Sequence, residues 1–200
     1  MPKTHTLRDE WFQDALDGSD GLREAFKQAG YPIDADVLRI STGFPSKGAS
    51  RGMNGQNIGQ CWDRLQISDS ITQIYVSPVL VDPVRVLGTL VHELVHVVVG
   101  CREGHGSKFR KSAIALGLTG KMTCTEETPE LVERLNALSN RVGPYPHAAL
   151  DPTIGKKQST RMIKAACGPC AYTVRLSRKQ IEQLGCPICP GCEVTMEESV

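Results

Sequence analysis

Apolar residues recur three and four positions apart at Leu87, Leu90, Val91, Leu94, Val95 and Val98. Arg85, Thr89, His92, Glu93 and His96 fall on the opposite side of the same ~100° wheel. Asp82 and Pro83 supply an N-cap carboxylate and a proline at the first helical position, and Gly100 supplies a stop. The pattern predicts one amphipathic helix between Asp82 and Gly100, too long for an ordinary strand despite its valines.

Elsewhere the periods are shorter. Residues 7–29 read as two helices broken at Asp17–Gly21, the second with Leu22, Ala25, Phe26 and Ala29 on one face and Gly30 at its end. Residues 37–44 read as a strand, followed by a glycine- and serine-rich loop over 45–59. Residues 61–68 and 71–78 read as an antiparallel hairpin turning at Asp69 and Ser70. Further helices are expected from Ser107 toward Leu116 and from Pro129 toward Leu138. Pro144, Pro146 and Pro152 then mark a linker. The expectation is an α+β fold: a main domain over 1–140, a Pro/Gly-rich linker over 141–160, and a small cysteine-rich module over 161–200.

Composition sharpens this picture. The chain has 200 residues, 40% apolar and 22% charged, in the range of soluble globular proteins. No apolar run approaches the ~20 residues of a membrane span, and the N-terminus has no apolar stretch resembling a signal peptide. A cytoplasmic protein without a membrane partner is expected. Its cysteines then read as thiols and metal ligands rather than disulfides. The net charge of +1 hides an acid-free stretch between Pro152 and Ile181 that contains Lys156, Lys157, Arg161, Lys164, Arg175, Arg178 and Lys179. Such a stretch suits nucleic acid, and it equally suits a solvated basic surface.

The polar face of the central helix carries chemistry. His92-Glu93-Leu94-Val95-His96 places two imidazoles one turn apart, able to reach one ion together. Glu93 beside them can act as general base for a metal-bound water. A catalytic zinc usually has a third protein ligand. The metzincin spacing fails, since Val99 and Arg102 stand where its glycine and histidine belong. A later glutamate (Glu126, Glu127 or Glu130) is one alternative. His105, flanked by Gly104 and Gly106 and followed by Ser107 as a helix cap, is the natural choice.

Residues 90–109, with "HELVHV" followed by "REGHGSKF", resemble the SprT-like (Spartan-type) zinc metallopeptidases. The preceding hairpin and the cysteine-rich C-terminus are similar to bacterial and phage-encoded members. The resemblance implies zinc ligands at His92, His96 and His105, catalysis by Glu93, and a zincin-like core in which a small antiparallel sheet packs on the H-E-x-x-H helix. It also implies an edge strand lining the substrate cleft, for which residues 72–78 are the candidate, with Tyr75 expected to pack. The substrate would be a protein or peptide, in this family often DNA-associated. For oxyanion stabilisation, Arg102, Tyr75 and Tyr145 are the residues to consider.

Five of the eight cysteines lie in the last 34 residues. Cys167 and Cys170 form one C-x-x-C pair, and Cys189 with Cys192 a second, separated by the ~15–20 residues of a structural zinc ribbon. Cys186 with Cys189 is the alternative second pair. Strands and a short helix are expected between the knuckles, exposing Arg175, Arg178 and Lys179 as candidate contacts to DNA. Cys61 and Cys124 read as buried thiols, and His5 and His147 as solvated. The expectation is therefore two zinc ions, one catalytic and one structural, in a peptidase. The rivals are a non-enzymatic zinc-containing nucleic-acid adaptor and a zinc hydrolase of non-peptide substrates.

Overall fold

The computed structural model describes residues 4–34, 38–45, 57–151 and 162–199, so most of the glycine-rich loop and part of the proline-rich segment lie outside the described residues. The chain divides into two compact units, 1–153 and 154–200. Both mix helices with small sheets.

In the first unit α1 (Arg8–Leu16) and α2 (Leu22–Gln28) are followed by three short strands, β1 (Leu38–Thr42), β2 (Gly59–Trp62) and β3 (Thr72–Val76). β3 is central. β1 pairs with it in parallel, with Ile40 opposite Ile74, and β2 pairs antiparallel, with Cys61 opposite Ile74. The sheet is therefore mixed, where an antiparallel one was expected. The first arm of the expected hairpin is also shorter: after Trp62 a capping box at Asp63 winds Arg64–Gln66 into a 3-10 turn. That box satisfies backbone groups locally, which ends the strand. Asp69 receives the Arg39 guanidinium at 3.0 Å, and Ser70 takes the positive φ of 58° that the turn requires.

The long helix α3 (Pro83–Val99) is capped as its sequence dictates: the Asp82 carboxylate accepts from the Arg85 N–H at 2.8 Å, and Gly100 leaves the helix at φ 92°. Leu87, Leu90 and Leu94 are fully buried, each contributing roughly 1.5–3 kcal/mol before entropic costs. Val98, at the emerging end, is only half-buried. α3 packs against β2 and β3, and against α4 (Ser107–Ala115) and α5 (Pro129–Val142). Ser107 is the first residue of α4 rather than its cap; Gly106 holds the cap position without a side-chain hydrogen bond.

Between α4 and α5 lies a hairpin absent from the sequence reading, β4 (Leu118–Lys121) paired with β5 (Cys124–Glu127). Its exposed, polar strands carry almost no hydrophobic alternation. α5 runs past Leu138 to Val142, and the chain after it lies back on the first unit. Tyr145 packs edge-on to Trp11 and shares a hydrogen bond with Thr42 at 2.9 Å, while the Trp11 indole N–H donates to the Gly143 carbonyl. His147 donates to the Pro78 carbonyl at 2.6 Å, and His5 lies 3.3 Å from the Asp14 carboxylate. Neither histidine stands free in solvent.

The second unit contains β6 (Ile163–Ala166), β7 (Thr173–Leu176), α6 (Arg178–Leu184) and β8 (Glu197–Ser199), with β6 between the other two strands. Ser177 caps α6 through a capping box with Gln180. Among the described residues the unit's buried apolar cluster is small: Ala165, Met196 and the cysteines Cys167 and Cys189. No helix among the described residues is long and apolar enough to cross a membrane.

Candidate metal centres and the cleft around them

α3 presents His92, Glu93 and His96 on the side covered by β2 and β5, so this polar face is the floor of a cleft rather than open surface. Glu93 is 6% and His96 9% exposed. Gly100 and Gly104, both at positive φ, reverse the chain so that His105 arrives just before α4. There its Nε2 lies 3.2 Å from Nε2 of His96 and 3.2 Å from Nε2 of His92. Phe109, fully buried one turn into α4, sits beneath all three rings at centroid distances of 4.5–5.0 Å.

These imidazoles fit a metal ion. Nitrogens bound at ~2.0–2.1 Å with tetrahedral angles stand ~3.3–3.4 Å apart, close to the separations here. The other ring nitrogen of His92, Nδ1, is 2.8 Å from the Thr125 hydroxyl of β5, which fixes the ring's orientation and leaves Nε2 free to ligate. Burial holds His92 down at about 4, aided by the neighbouring His105. Burial likewise holds His96 at about 3, and it lowers His105. All three stay neutral near pH 7, the form in which imidazole binds metal.

Glu93 completes the arrangement. Burial pushes its carboxyl up to about 8, partly offset by the Cys61 backbone N–H that donates to it. The strand that provides this donor approaches α3 closely because Gly59 has no side chain. A Cβ there would overlap the Glu93 carboxylate and come within 2.8 Å of Thr89 Cγ2. Gly88 plays the matching part on the other wall, where a Cβ would overlap Glu127. The resulting cleft has a volume of about 590 Å³ and is lined by β2, α3 and residues 123–127.

The strand along this cleft is β2, at the sheet edge. The expected strand, 72–78, is central instead and contributes nothing to the cleft lining. Tyr75 is half-buried with its ring against Gly43, and Tyr145 is buried on Trp11. Arg102 is exposed, and none of these three lines the cleft. The cationic group that does is Arg85, 3.5 Å from Glu127 across the gap between α3 and β5. Glu126, Glu127 and Glu130 do not join the histidines. Sequence reading missed Thr125 and Gly59, whose roles depend on strands that fold in from 33 and 34 residues away.

The second cluster joins Cys167, Cys170, Cys189 and Cys192, with all four sulfurs within 4.8 Å of one another. Cys170 and Cys189 are 3.6 Å apart, near the ~3.8 Å separation of thiolates at ~2.3 Å from a tetrahedral ion. The Gly191 N–H, with that of Cys192, pulls the Cys189 thiol down to about 7. Cys186 lies outside the cluster. Nearby, Lys164 and Arg175 are exposed cross-strand neighbours and Lys179 is exposed, but Arg178 is paired with Glu198 at 3.2 Å.

His92, His96 and His105 on the one hand, and the four cysteines on the other, could thus each hold a metal ion, consistent with zinc. No protein-family model, curated protein or solved structure matches the chain. The resemblance to SprT-like peptidases rests on the motif residues alone.

Proposed function

We propose that the first unit is a zinc-dependent peptidase of the SprT-like type, with His92, His96 and His105 holding the ion and Glu93 as general acid–base. The observation that carries this reading is a buried carboxyl sharing the floor of an open cleft with three converging imidazole nitrogens. A purely structural site closes around its ion, whereas His105 is exposed and the cleft is open.

A zinc ion bound there supplies a Lewis acid for a carbonyl oxygen and acidifies a water molecule. Glu93 takes the water proton on its carboxylate and returns it to the leaving amine nitrogen. The Cys61 N–H that donates to the Glu93 carboxylate keeps it aimed for both transfers. β2 favours a peptide substrate over other hydrolysable compounds: among the described residues it is the outer strand of its sheet, the place where an extended chain can lie alongside.

The test compares wild type with Glu93→Gln in cleavage of an unfolded protein such as casein, with metal content measured in parallel. The expected loss is about 10²–10⁴-fold in rate with metal content unchanged. Full activity in the variant would refute the assignment, and cleavage of ester but not peptide substrates would favour the non-peptide hydrolase.

A second reading concerns the cysteine-rich unit. Lys164 and Arg175 face each other across β6 and β7, an arrangement that costs stability through like-charge repulsion and suits a polyanion. We infer contact with DNA through these residues and Lys179, with Arg178 diverted to Glu198. Fluorescence anisotropy with a DNA duplex at two salt concentrations tests it. Lys164→Glu with Arg175→Glu should weaken binding and flatten its salt dependence; unchanged binding would remove the inference.

A further inference from the structure

Two cysteines outside both metal clusters meet at the cleft. Cys61 is on β2, and Cys101 opens the 3-10 turn Cys101–Glu103 that carries the chain from α3 toward His105. Their sulfurs are 2.7 Å apart, closer than the ~3.5–4.0 Å at which unbonded heavy atoms settle. A bond of ~2.05 Å needs a further approach of only ~0.7 Å, within side-chain adjustment. Both thiols are half-buried and both line the open cleft, so a small oxidant can reach them.

We propose that Cys61 and Cys101 are a reversible disulfide site that staples the cleft's edge strand to the turn delivering the third histidine. The oxidant is a low-molecular-weight disulfide such as oxidised glutathione. One thiolate attacks a glutathione sulfur and expels the first reduced glutathione; the second thiolate attacks the protein-side sulfur of the mixed disulfide and expels the other. Both protein thiol protons leave to the solvent or the released thiolates, and the glutathione disulfide is reduced as the protein pair is oxidised. Either thiol can donate to the other across the 2.7 Å contact, and the sulfur that holds the thiolate is the attacking group.

The consequence lies in what the two sulfurs join. β2 carries the backbone N–H that aims Glu93, and the turn carries the chain to His105. The staple closes a loop of 40 residues that contains all of α3. Oxidation therefore limits how far the cleft wall can move from the floor, whether or not the ion below is catalytic.

The test treats the metal-loaded full chain with oxidised glutathione and maps its cysteine peptides by mass spectrometry without reduction. The expected product is a cross-linked peptide pair containing Cys61 and Cys101, with Cys124 carrying a glutathione of its own. The unfolding midpoint of the wild type should rise by several degrees and fall again on reduction. Cys61→Ser and Cys101→Ser should each lose the cross-link and the shift. A map in which Cys61 and Cys101 both remain free, or each carries a separate glutathione, would overturn the proposal without bearing on the peptidase reading.

Discussion

The Thr125 hydroxyl lies 2.8 Å from Nδ1 of His92, joining a strand of the second hairpin to the helix that bears the metal-binding motif. Ligand histidines depend on such outer partners for ring orientation and basicity. Thr125→Val, which keeps the shape and removes the hydroxyl, should weaken zinc binding at the histidine site by about 10–100-fold. Thr125→Ser should retain most of the affinity. Competition against a chromophoric chelator measures both; equal affinities for the two variants would mean that the contact does not tune the site.

Gly59 leaves room for the Glu93 carboxylate under β2. Gly59→Ala should push that carboxylate out of line while the histidines keep their ion, because the atoms nearest the added methyl belong to Glu93 and Thr89. A displacement on the order of 1 Å at a reacting group costs about 10²-fold in rate. The expected outcome is a fall of that size in turnover with unchanged metal content; loss of metal instead would show that the strand supports the ligands.

Metal removal should expose a bell-shaped dependence of stability on pH in the first unit. His92 and His96 have folded values of about 4 and 3, below their unfolded value of 6.5. The unfolded chain therefore binds more protons in that window, and stability is lost as pH falls from 6.5. Glu93, at about 8 when folded and 4.5 when unfolded, acts in the opposite sense: its contribution is lost as pH rises through 8. With His105 also lowered, the histidines dominate below pH 6.5 and Glu93 above it. Unfolding of the chelator-treated protein should be followed by the fluorescence of Trp11 and Trp62, both in the first unit. A midpoint rising steadily from pH 6.5 to 8.5 would contradict this account.

Among the described residues the apolar cluster of the cysteine-rich unit is small, so a metal ion held by the four cysteines would be expected to stabilise its fold. Cys192→Ala should abolish one bound metal per chain and the protease resistance of residues 162–199. Cys186→Ala, outside the cluster, should leave both unchanged. The reverse pattern would assign the fourth ligand to Cys186.

The sequence by itself determined what depends on neighbours along the chain. The bounds of α3 follow from Asp82, Pro83 and Gly100 acting within one turn, and the phase of His92, Glu93 and His96 follows from the helical repeat. The glycines around His105 and the spacing of the C-x-x-C pairs are likewise local, and the structure brings those residues together. Tertiary structure alone decided the rest. β1 lies parallel to β3, which moves β3 to the middle and leaves β2 as the cleft edge. The β4–β5 hairpin has no hydrophobic alternation to announce it, yet it delivers Thr125 to His92. Cys61 and Cys101, 40 residues apart, meet because β2 packs on α3. Such contacts are set by which surfaces can be buried together, a property of the folded chain that no local pattern encodes.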